Sequence, residues 1–145
     1  MTDTAPRTPE NIQATAIAPM LSVRRGAKAI EFYQAAFGAK ELFRIDSETG
    51  EVVARLTVDG ADFWVSDESP KDSNFSPESL GGGSVRMVLM VQEPDALFAR
   101  AVAAGASVVW PVGEAYGWRL GRLVDPFGHH WEIGKPLSED AYKNR

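Results

Sequence analysis

The residues best suited to proton transfer or metal binding lie together near the end of the chain, in the segment His129-His130-Trp131-Glu132. The chain has two histidines and no cysteine, so a metal ion would have to be held by His, Asp or Glu. Alternate residues of a strand share a face, which places His130 beside Glu132 and His129 opposite. We predict that His130 and Glu132 are the acid/base pair if the protein is catalytic. A packed core histidine is an equal interpretation of His130, and His129 is expected to be structural.

The amino-acid composition of the chain narrows the classes of molecule that it is expected to bind. The chain has 145 residues, a net charge of −5, 44% hydrophobic and 24% charged residues, which indicates one globular unit. The few Lys and Arg residues are spread along the chain, which argues against general nucleic-acid binding. No apolar run reaches the roughly 18 to 20 residues of a membrane span, and the start lacks signal-peptide features. We expect a cytoplasmic protein that binds a small molecule, with neither nucleic acid nor membrane as partner.

The elements that must position these residues form an internal repeat of a strand, a helix ended by glycine, and three further strands. The first copy has strands at 17–23, 41–45, 52–58 and 61–66 and a helix at 27–37. The second copy has strands at 85–91, 107–111, 118–124 and 129–133 and a helix at 94–104. Gly38-Ala39 and Gly105-Ala106 mark the same place in each copy. Asp59-Gly60 between two strands is typical of a hairpin.

This repeat predicts an α+β fold of two βαβββ modules that form a curved mixed sheet around a cleft. Each module covers one sheet face with its helix and leaves the other bare, so two such modules are most stable together. The predicted organisation is a flexible tail at 1–14, a first module at 15–69, a linker at 70–83, a second module at 84–136 and a C-terminal tail at 137–145.

Asp125-Pro126-Phe127-Gly128 has the composition of a turn before the last strand. Asp125 is expected to hydrogen-bond the backbone ahead of it, Pro126 to preset the turn, and Gly128 to take a positive φ. We interpret these four residues as shaping the chain rather than contacting a substrate.

Together with the repeat and with Ala29-Ile30-Glu31-Phe32-Tyr33 in the first helix, this turn resembles the vicinal-oxygen-chelate superfamily of glyoxalases, bleomycin resistance proteins and dioxygenases. The resemblance covers about residues 15–136. Within it, the linker end Leu80-Gly81-Gly82-Gly83 and the run from Phe98 to Ala106 are most similar to the branch often labelled PhnB-like. Chains of this length in the superfamily commonly complete their cavities with a partner subunit, so the resemblance implies a homodimer.

Enzymes of this superfamily place one metal ligand on the first and last strand of each module. Matching the motifs puts Ala18, Trp64, Arg86 and Glu132 at the four positions. Only Glu132 offers a ligand atom, because alanine has none, indole has only an N–H, and guanidinium is a cation. The resemblance thus implies no metal site of the usual kind and no cofactor. A divalent metal is expected only at a rearranged site that uses His130 with Glu132, and two ligands are few for tight binding.

The same positions converge on one cavity in the family, so we expect Arg86 and Glu132 to form an ion pair where the metal would sit. A guanidinium there would bind a substrate carboxylate, phosphonate or enolate, and an inert salt bridge is the equal alternative. Trp64 falls on the concave face. With Tyr116 and Trp118, just before the seventh strand, it is expected to stack on a flat ligand.

We therefore predict a glyoxalase/bleomycin-resistance-type protein that binds a small anionic or aromatic molecule in its cleft without the usual metal. The predicted ligand-binding residues are Arg86, Trp64, Tyr116 and Trp118. The alternative is a metal-dependent lyase, isomerase or dioxygenase of the same superfamily, with Glu132 and His130 as acid/base or as rearranged ligands. Whether the protein is an enzyme stays open at this point.

Overall fold

Within residues 15–140, which the computed structural model describes, the chain forms two βαβββ modules joined by a linker. The first module contains β1 (Met20–Val23), α1 (Gly26–Phe37), β2 (Lys40–Asp46), β3 (Val52–Val58) and β4 (Ala61–Asp67). The second contains β5 (Arg86–Met90), α3 (Pro94–Ala104), β6 (Ser107–Ala115), β7 (Trp118–Val124) and β8 (His130–Pro136). The predicted tail 1–14 and residues 141–145 of the predicted C-terminal tail lie outside the described residues.

The strands form two four-stranded mixed sheets with the same topology, ordered β1-β4-β3-β2 and β5-β8-β7-β6. In each sheet the first strand pairs in parallel with the last, and the other neighbours are antiparallel. The turn between β3 and β4 has positive φ at both Asp59 and Gly60, 50° and 93°, the conformation that Asp-Gly favours in a two-residue hairpin. The predicted α+β fold of two repeated modules is confirmed.

Among the element boundaries that differ from the predicted ones, two have clear physical reasons. The predicted strand at 17–23 begins only at Met20, since Pro19 has no N–H to donate and Ile17 is 97% exposed. The predicted strand at 107–111 continues to Ala115, because irregularities in its pairing with β7, between Val108 and Trp110 and between Trp110 and Gly113, accommodate Pro111.

Both ends of helix α1 are fixed by specific interactions. Its first residue, Gly26, donates its backbone N–H to Asp67 Oδ1 at 2.9 Å, and Asp67 Oδ2 accepts from the backbone N–H of Val52 at 2.7 Å. At the other end, the predicted glycine cap is confirmed, since Gly38 has a left-handed φ of 67°. Asp67 therefore ties the end of β4 to the starts of α1 and β3.

The linker contains two short helical segments, a 3-10 helix at Pro70–Asp72 and α2 at Pro77–Leu80. Ser76 caps α2, because its side chain accepts a hydrogen bond from the backbone N–H of Ser79. Ser76 and Pro77 are buried, so this part of the linker packs against the modules.

The core lies between the two sheets, where α1 and α3 pack against each other. Aromatic rings from both modules contact one another there: Tyr33 lies 5.3 Å from Phe63 and 5.5 Å from Trp131, and Phe37 lies 4.7 Å from Trp131, between ring centroids. The helix-covered faces of the two sheets therefore face each other across this core.

The other face of each sheet, which we call its open face, lies away from the core. The strand registers place on the open face of the first sheet Met20, Phe43, Ile45, Val53 and Trp64. They place on the open face of the second sheet Arg86, Val88, Trp110, Arg122, His130 and Glu132. Within one chain, the two open faces lie on opposite sides of the core.

Candidate functional site

Glu132 lies in β8, one of the two strands with neighbours on both sides in the second sheet. The register places it beside Val88 of β5 and Arg122 of β7. The residue is 9% exposed, and buried carboxylates need charged or hydrogen-bonding partners because removal from water is costly. The surroundings of Glu132 supply two such partners.

Two arginines converge on one oxygen of this carboxylate. Arg86 Nε lies 2.6 Å from Glu132 Oε2, and Arg122 Nη2 donates to the same oxygen at 2.8 Å. The expected ion pair of Arg86 and Glu132 is thus present, and Arg122 is a member that the sequence analysis missed. The Arg86 side chain is 54% exposed, whereas those of Arg122 and Glu132 are 23% and 12% exposed. Arg86 therefore has donors that face solvent.

The charges decide the protonation state of Glu132. Burial by itself raises the pKa of the Glu132 carboxyl. The hydrogen bond from Arg122 and the positive charges of Arg86 and Arg122 outweigh burial, so the pKa lies below its ordinary value. Glu132 is accordingly ionised at neutral pH.

The position of Arg122 could have been inferred from the length of the turn before β8. The turn leaves Val124 opposite His130, and antiparallel pairing then puts Arg122 opposite Glu132. The sequence indicates the turn and both strands, and the turn length sets the pairing across them. Turn length could not have placed Trp110, because the pairing of β6 with β7 is irregular on both sides of it. Trp110 stands opposite Arg122, whose guanidinium carbon lies 5.7 Å from the Trp110 ring centroid.

His130 lies on the same face as Glu132, as strand alternation predicted, and opposite Arg86 in β5. Its Nδ1 atom and the Nε atom of Arg122 are buried and have no hydrogen-bond partner among residues 15–140. Both side chains, with Arg86, line a cavity of about 160 Å³ beside the linker. Buried polar atoms of native proteins usually have partners, so these two indicate a ligand or water position.

His129 and Asp125 have structural surroundings, as predicted. Asp125 Oδ1 accepts hydrogen bonds from the backbone N–H groups of Phe127 and His129 at 2.9 and 3.0 Å. The His129 ring Nε2 lies 2.9 Å from the Ser22 carbonyl oxygen in β1. This contact ties the start of β8 to the first module.

The structure does not bring the three predicted aromatic ligand contacts together. Trp64 lies on the open face of the first sheet, with its ring 5.9 Å from that of Phe43. Tyr116 is 98% exposed at the tip of the β6–β7 hairpin, and Trp118, the first residue of β7, is only 7% exposed. Their role as ligand contacts stays a prediction, and Trp110 is the exposed indole nearest the arginines on the open face of the second sheet.

Comparison with known protein families identifies the superfamily of this chain. The model of the Glyoxalase/Bleomycin resistance protein/Dioxygenase superfamily matches residues 14–133. The chain belongs to this superfamily. The match includes both modules and the whole β7–β8 turn, so the resemblance inferred from the repeat and the turn is confirmed for the superfamily. Its finer assignment to the PhnB-like branch stays a prediction.

The proteins that are similar to this chain do not indicate a specific activity for it. An uncharacterized protein of Mycobacterium bovis is 40% identical over 129 residues, 86% of this chain and 85% of that protein. The crystal structure of an Arabidopsis thaliana gene product has 31% identity and a TM-score of 0.65, covering 86% of this chain and 99% of that chain. FosX, a fosfomycin resistance protein of Listeria monocytogenes, has a TM-score of 0.69 at 17% identity, covering 90% of this chain and 99% of that chain. The likeness to FosX shows the fold alone.

The superfamily's metal site does not fit the residues at the corresponding positions. Ala18 precedes β1, Trp64 lies in the other sheet, and the Glu132 carboxylate is already held by Arg86 and Arg122. Across residues 15–140 no group of three or more His, Asp or Glu side chains is arranged to hold a metal ion. A cation placed beside Glu132 would also meet the charges of two guanidinium groups.

Among residues 15–140, no helix is long and apolar enough to cross a membrane.

Proposed function

We propose that the protein binds a small anionic molecule through Arg86 and Arg122, on the open face of the second sheet, without the metal of its superfamily's enzymes. The observation that carries the proposal is the pairing of two guanidinium groups with one carboxylate oxygen. Two positive charges against one negative charge leave the site cationic. Each guanidinium has five N–H donors, so both arginines keep donors for a ligand after binding Glu132.

In this proposal Glu132 fixes the arginines rather than transferring protons. A carboxylate with a lowered pKa is a weak base and is ionised at neutral pH, so it cannot donate a proton there. A cation–π contact with Trp110, 5.7 Å from the Arg122 guanidinium carbon to the ring centroid, further restricts this guanidinium. The result is a preorganised cationic group, which binds anions with less loss of side-chain freedom. The exposed indole also offers a flat surface to an aromatic ligand.

A homodimer would complete this site. The open face of the first sheet carries exposed apolar side chains beside the ion pair of Arg55 and Asp62. Its Met20, Phe43 and Ile45 are 51%, 45% and 56% exposed. Contiguous exposed apolar residues mark interaction surfaces. Since the two open faces of one chain point to opposite sides, only a second copy can bring Trp64 near Arg86. We infer that the partner's first sheet closes the cleft.

A second candidate function is catalysis, with His130 as the acid/base group. The unpartnered Nδ1 of His130, on the face that carries Glu132, favours this reading. A metal-dependent lyase, isomerase or dioxygenase would require ligands rearranged around His130 and Glu132. Elemental analysis of protein purified without chelators or a metal-affinity column separates the two candidates, because a stoichiometric divalent ion contradicts metal-free binding.

Anion titrations test the proposed function directly. Acetate, benzoate, phosphate and methylphosphonate are titrated into the protein while tryptophan fluorescence and heat are recorded. Arg86→Gln and Arg122→Gln are each expected to weaken binding at least about tenfold, because a hydrogen bond to a charged group contributes roughly 1.5–3 kcal/mol. Arg44→Gln is the matched control, since Arg44 is also paired with carboxylates, Asp46 and Glu41, but lies in the first module. Equal affinities in all three variants would contradict the proposal.

A further inference from the structure

The small polar cavity beside Arg86 and Arg122 adjoins a larger cavity beneath the linker. The larger one has a volume of about 350 Å³ and lies between β1, the linker and the start of β5. The two cavities share five lining residues: Pro77, Gly83, Ser84, Val85 and His129. The two cavities therefore lie side by side.

The two cavities differ in chemistry. Arg86, Arg122 and His130 line the smaller one, and Arg122 Nε and His130 Nδ1 are buried atoms without a hydrogen-bond partner among residues 15–140. No Asp, Glu, Lys or Arg lines the larger one, whose residues include Met20, Leu21, Phe75, Leu80, Val85 and Met87. Phe75, Leu80 and Val85 are 44%, 64% and 72% exposed, an arrangement that leaves apolar surface to be covered.

We propose that the ligand is an amphipathic anion, with an oxyanion head held by Arg86 and Arg122 and a short apolar body in the cavity beneath the linker. This inference rests on the anion binding proposed above. It adds the chemistry of the rest of the ligand and the direction in which the ligand extends from the arginines. A cavity of roughly 150 Å³ is known to hold benzene, so about 350 Å³ takes a substituted ring or a medium-length alkyl chain. The ligand body thus runs along the linker, not across the open face.

Straight-chain carboxylates from acetate to octanoate test this arrangement by calorimetry. Affinity is expected to rise about fourfold per added methylene until the cavity is filled, from about 0.8 kcal/mol per buried CH₂. Leu80→Ser and Phe75→Ser are expected to reduce this gain per methylene, and urea unfolding confirms that both variants fold. Val88→Ser is the matched control, because Val88 is 59% exposed on the open face beside Glu132 but lines neither cavity. It is expected to leave the gain per methylene unchanged.

The outcomes separate this inference from the function on which it rests. If acetate binds in an Arg86-dependent manner but longer chains bind no better, the amphipathic ligand is excluded and anion binding stands. If the gain per methylene is lost in Val88→Ser and kept in Leu80→Ser, the body crosses the open face and the inference fails. If no carboxylate binds in an Arg86-dependent manner, the proposed function itself fails. A gain that depends on Leu80 and Phe75 supports the inference.

Discussion

At the scale of single residues, the charge of Glu132 depends on two neighbouring arginines. Its pKa is lowered by Arg122 and Arg86 in spite of burial, so the ionised form is more favourable in the folded protein than in the unfolded chain. The stability that it contributes is therefore complete above its ordinary pKa of about 4.3 and is lost as the pH falls through the lowered folded value. The ion pair should be strong at neutral pH and absent in acid.

Glu132→Gln tests this dependence. At pH 7 we expect the variant to lose roughly 1–3 kcal/mol of unfolding free energy, since two guanidinium groups lose their charged acceptor. The difference from the unsubstituted protein should shrink as the pH falls through the lowered folded pKa of Glu132, because both proteins then carry a neutral side chain at this position. Urea unfolding at pH 7 and at a series of acidic pH values measures these differences. Asp46→Asn serves as control, because the exposed pair of Arg44 and Asp46 should contribute little, and a pH-independent loss in Glu132→Gln would contradict the assignment.

At the scale of elements, the β7–β8 turn is stabilised by one buried side chain that joins both modules. Asp125 is 4% exposed and accepts four hydrogen bonds. Two come from backbone N–H groups of its own turn; the others come from Trp131 Nε1 in β8 at 2.9 Å and from the Tyr33 hydroxyl in α1 at 2.5 Å. The turn that identifies the superfamily is thus also a contact between the modules.

Asp125→Ala should be among the most destabilising substitutions in the chain. It leaves two buried side-chain donors and two backbone donors without an acceptor, for an expected loss of about 3–5 kcal/mol in unfolding free energy. Tyr33→Phe removes a single hydrogen bond and should cost about 1 kcal/mol. Urea unfolding compares the two, with Asp46→Ala as an exposed control. A loss in Asp125→Ala no larger than in the control would show that the network adds nothing to stability.

The hydrogen bond between Tyr33 and Asp125 should make the stability of the protein depend on pH in the alkaline range. Burial, and then the charge of Asp125 and its hydrogen bond, raise the pKa of the Tyr33 hydroxyl well above its ordinary value. Its contribution to stability is therefore complete below about pH 10 and falls as the pH rises further, because the unfolded chain ionises first. Between about pH 8 and pH 11, the unsubstituted protein should lose more unfolding free energy than Tyr33→Phe. Parallel losses in the two proteins would contradict this account.

The elements were largely predictable from the sequence, because local chemistry specifies them. Gly38 and Gly105 ended the helices, and Asp59-Gly60 specified the hairpin. The site was predictable only in part. The resemblance placed Arg86 beside Glu132, but Arg122 and Trp110 depend on register across two strand pairs, and the cavity beneath the linker depends on how Pro77 to Val85 pack. Turn length indicates Arg122, whereas the irregular β6–β7 pairing and the packing of the linker are non-local and leave no signal in composition or periodicity.

At the scale of the whole molecule, the relative orientation of the modules determines where a complete cleft can form. The helix-covered faces meet in the core through Tyr33, Phe37 and Trp131, which leaves both open faces on the outside. One of these faces carries exposed apolar side chains around the Arg55–Asp62 ion pair, and the other carries the cationic site. A second copy that pairs the open face of its first sheet with the cationic face of the first copy would bury both and form two equivalent clefts about a two-fold axis.

Ile45→Glu tests this arrangement, because Ile45 is 56% exposed on the open face of the first sheet. A buried carboxylate without a partner is costly, so the substitution should convert dimers at micromolar concentration into monomers, as measured by light scattering after size-exclusion chromatography. Val102→Glu is the matched control: Val102 is 36% exposed on α3, outside both open faces, and its substitution should leave the mass unchanged. If the partner closes the cleft, the Ile45→Glu monomer should also bind anions more weakly than the dimer. An unsubstituted protein that is monomeric at these concentrations would contradict the shared cleft, while Arg86 and Arg122 would still provide an anion site on each single chain.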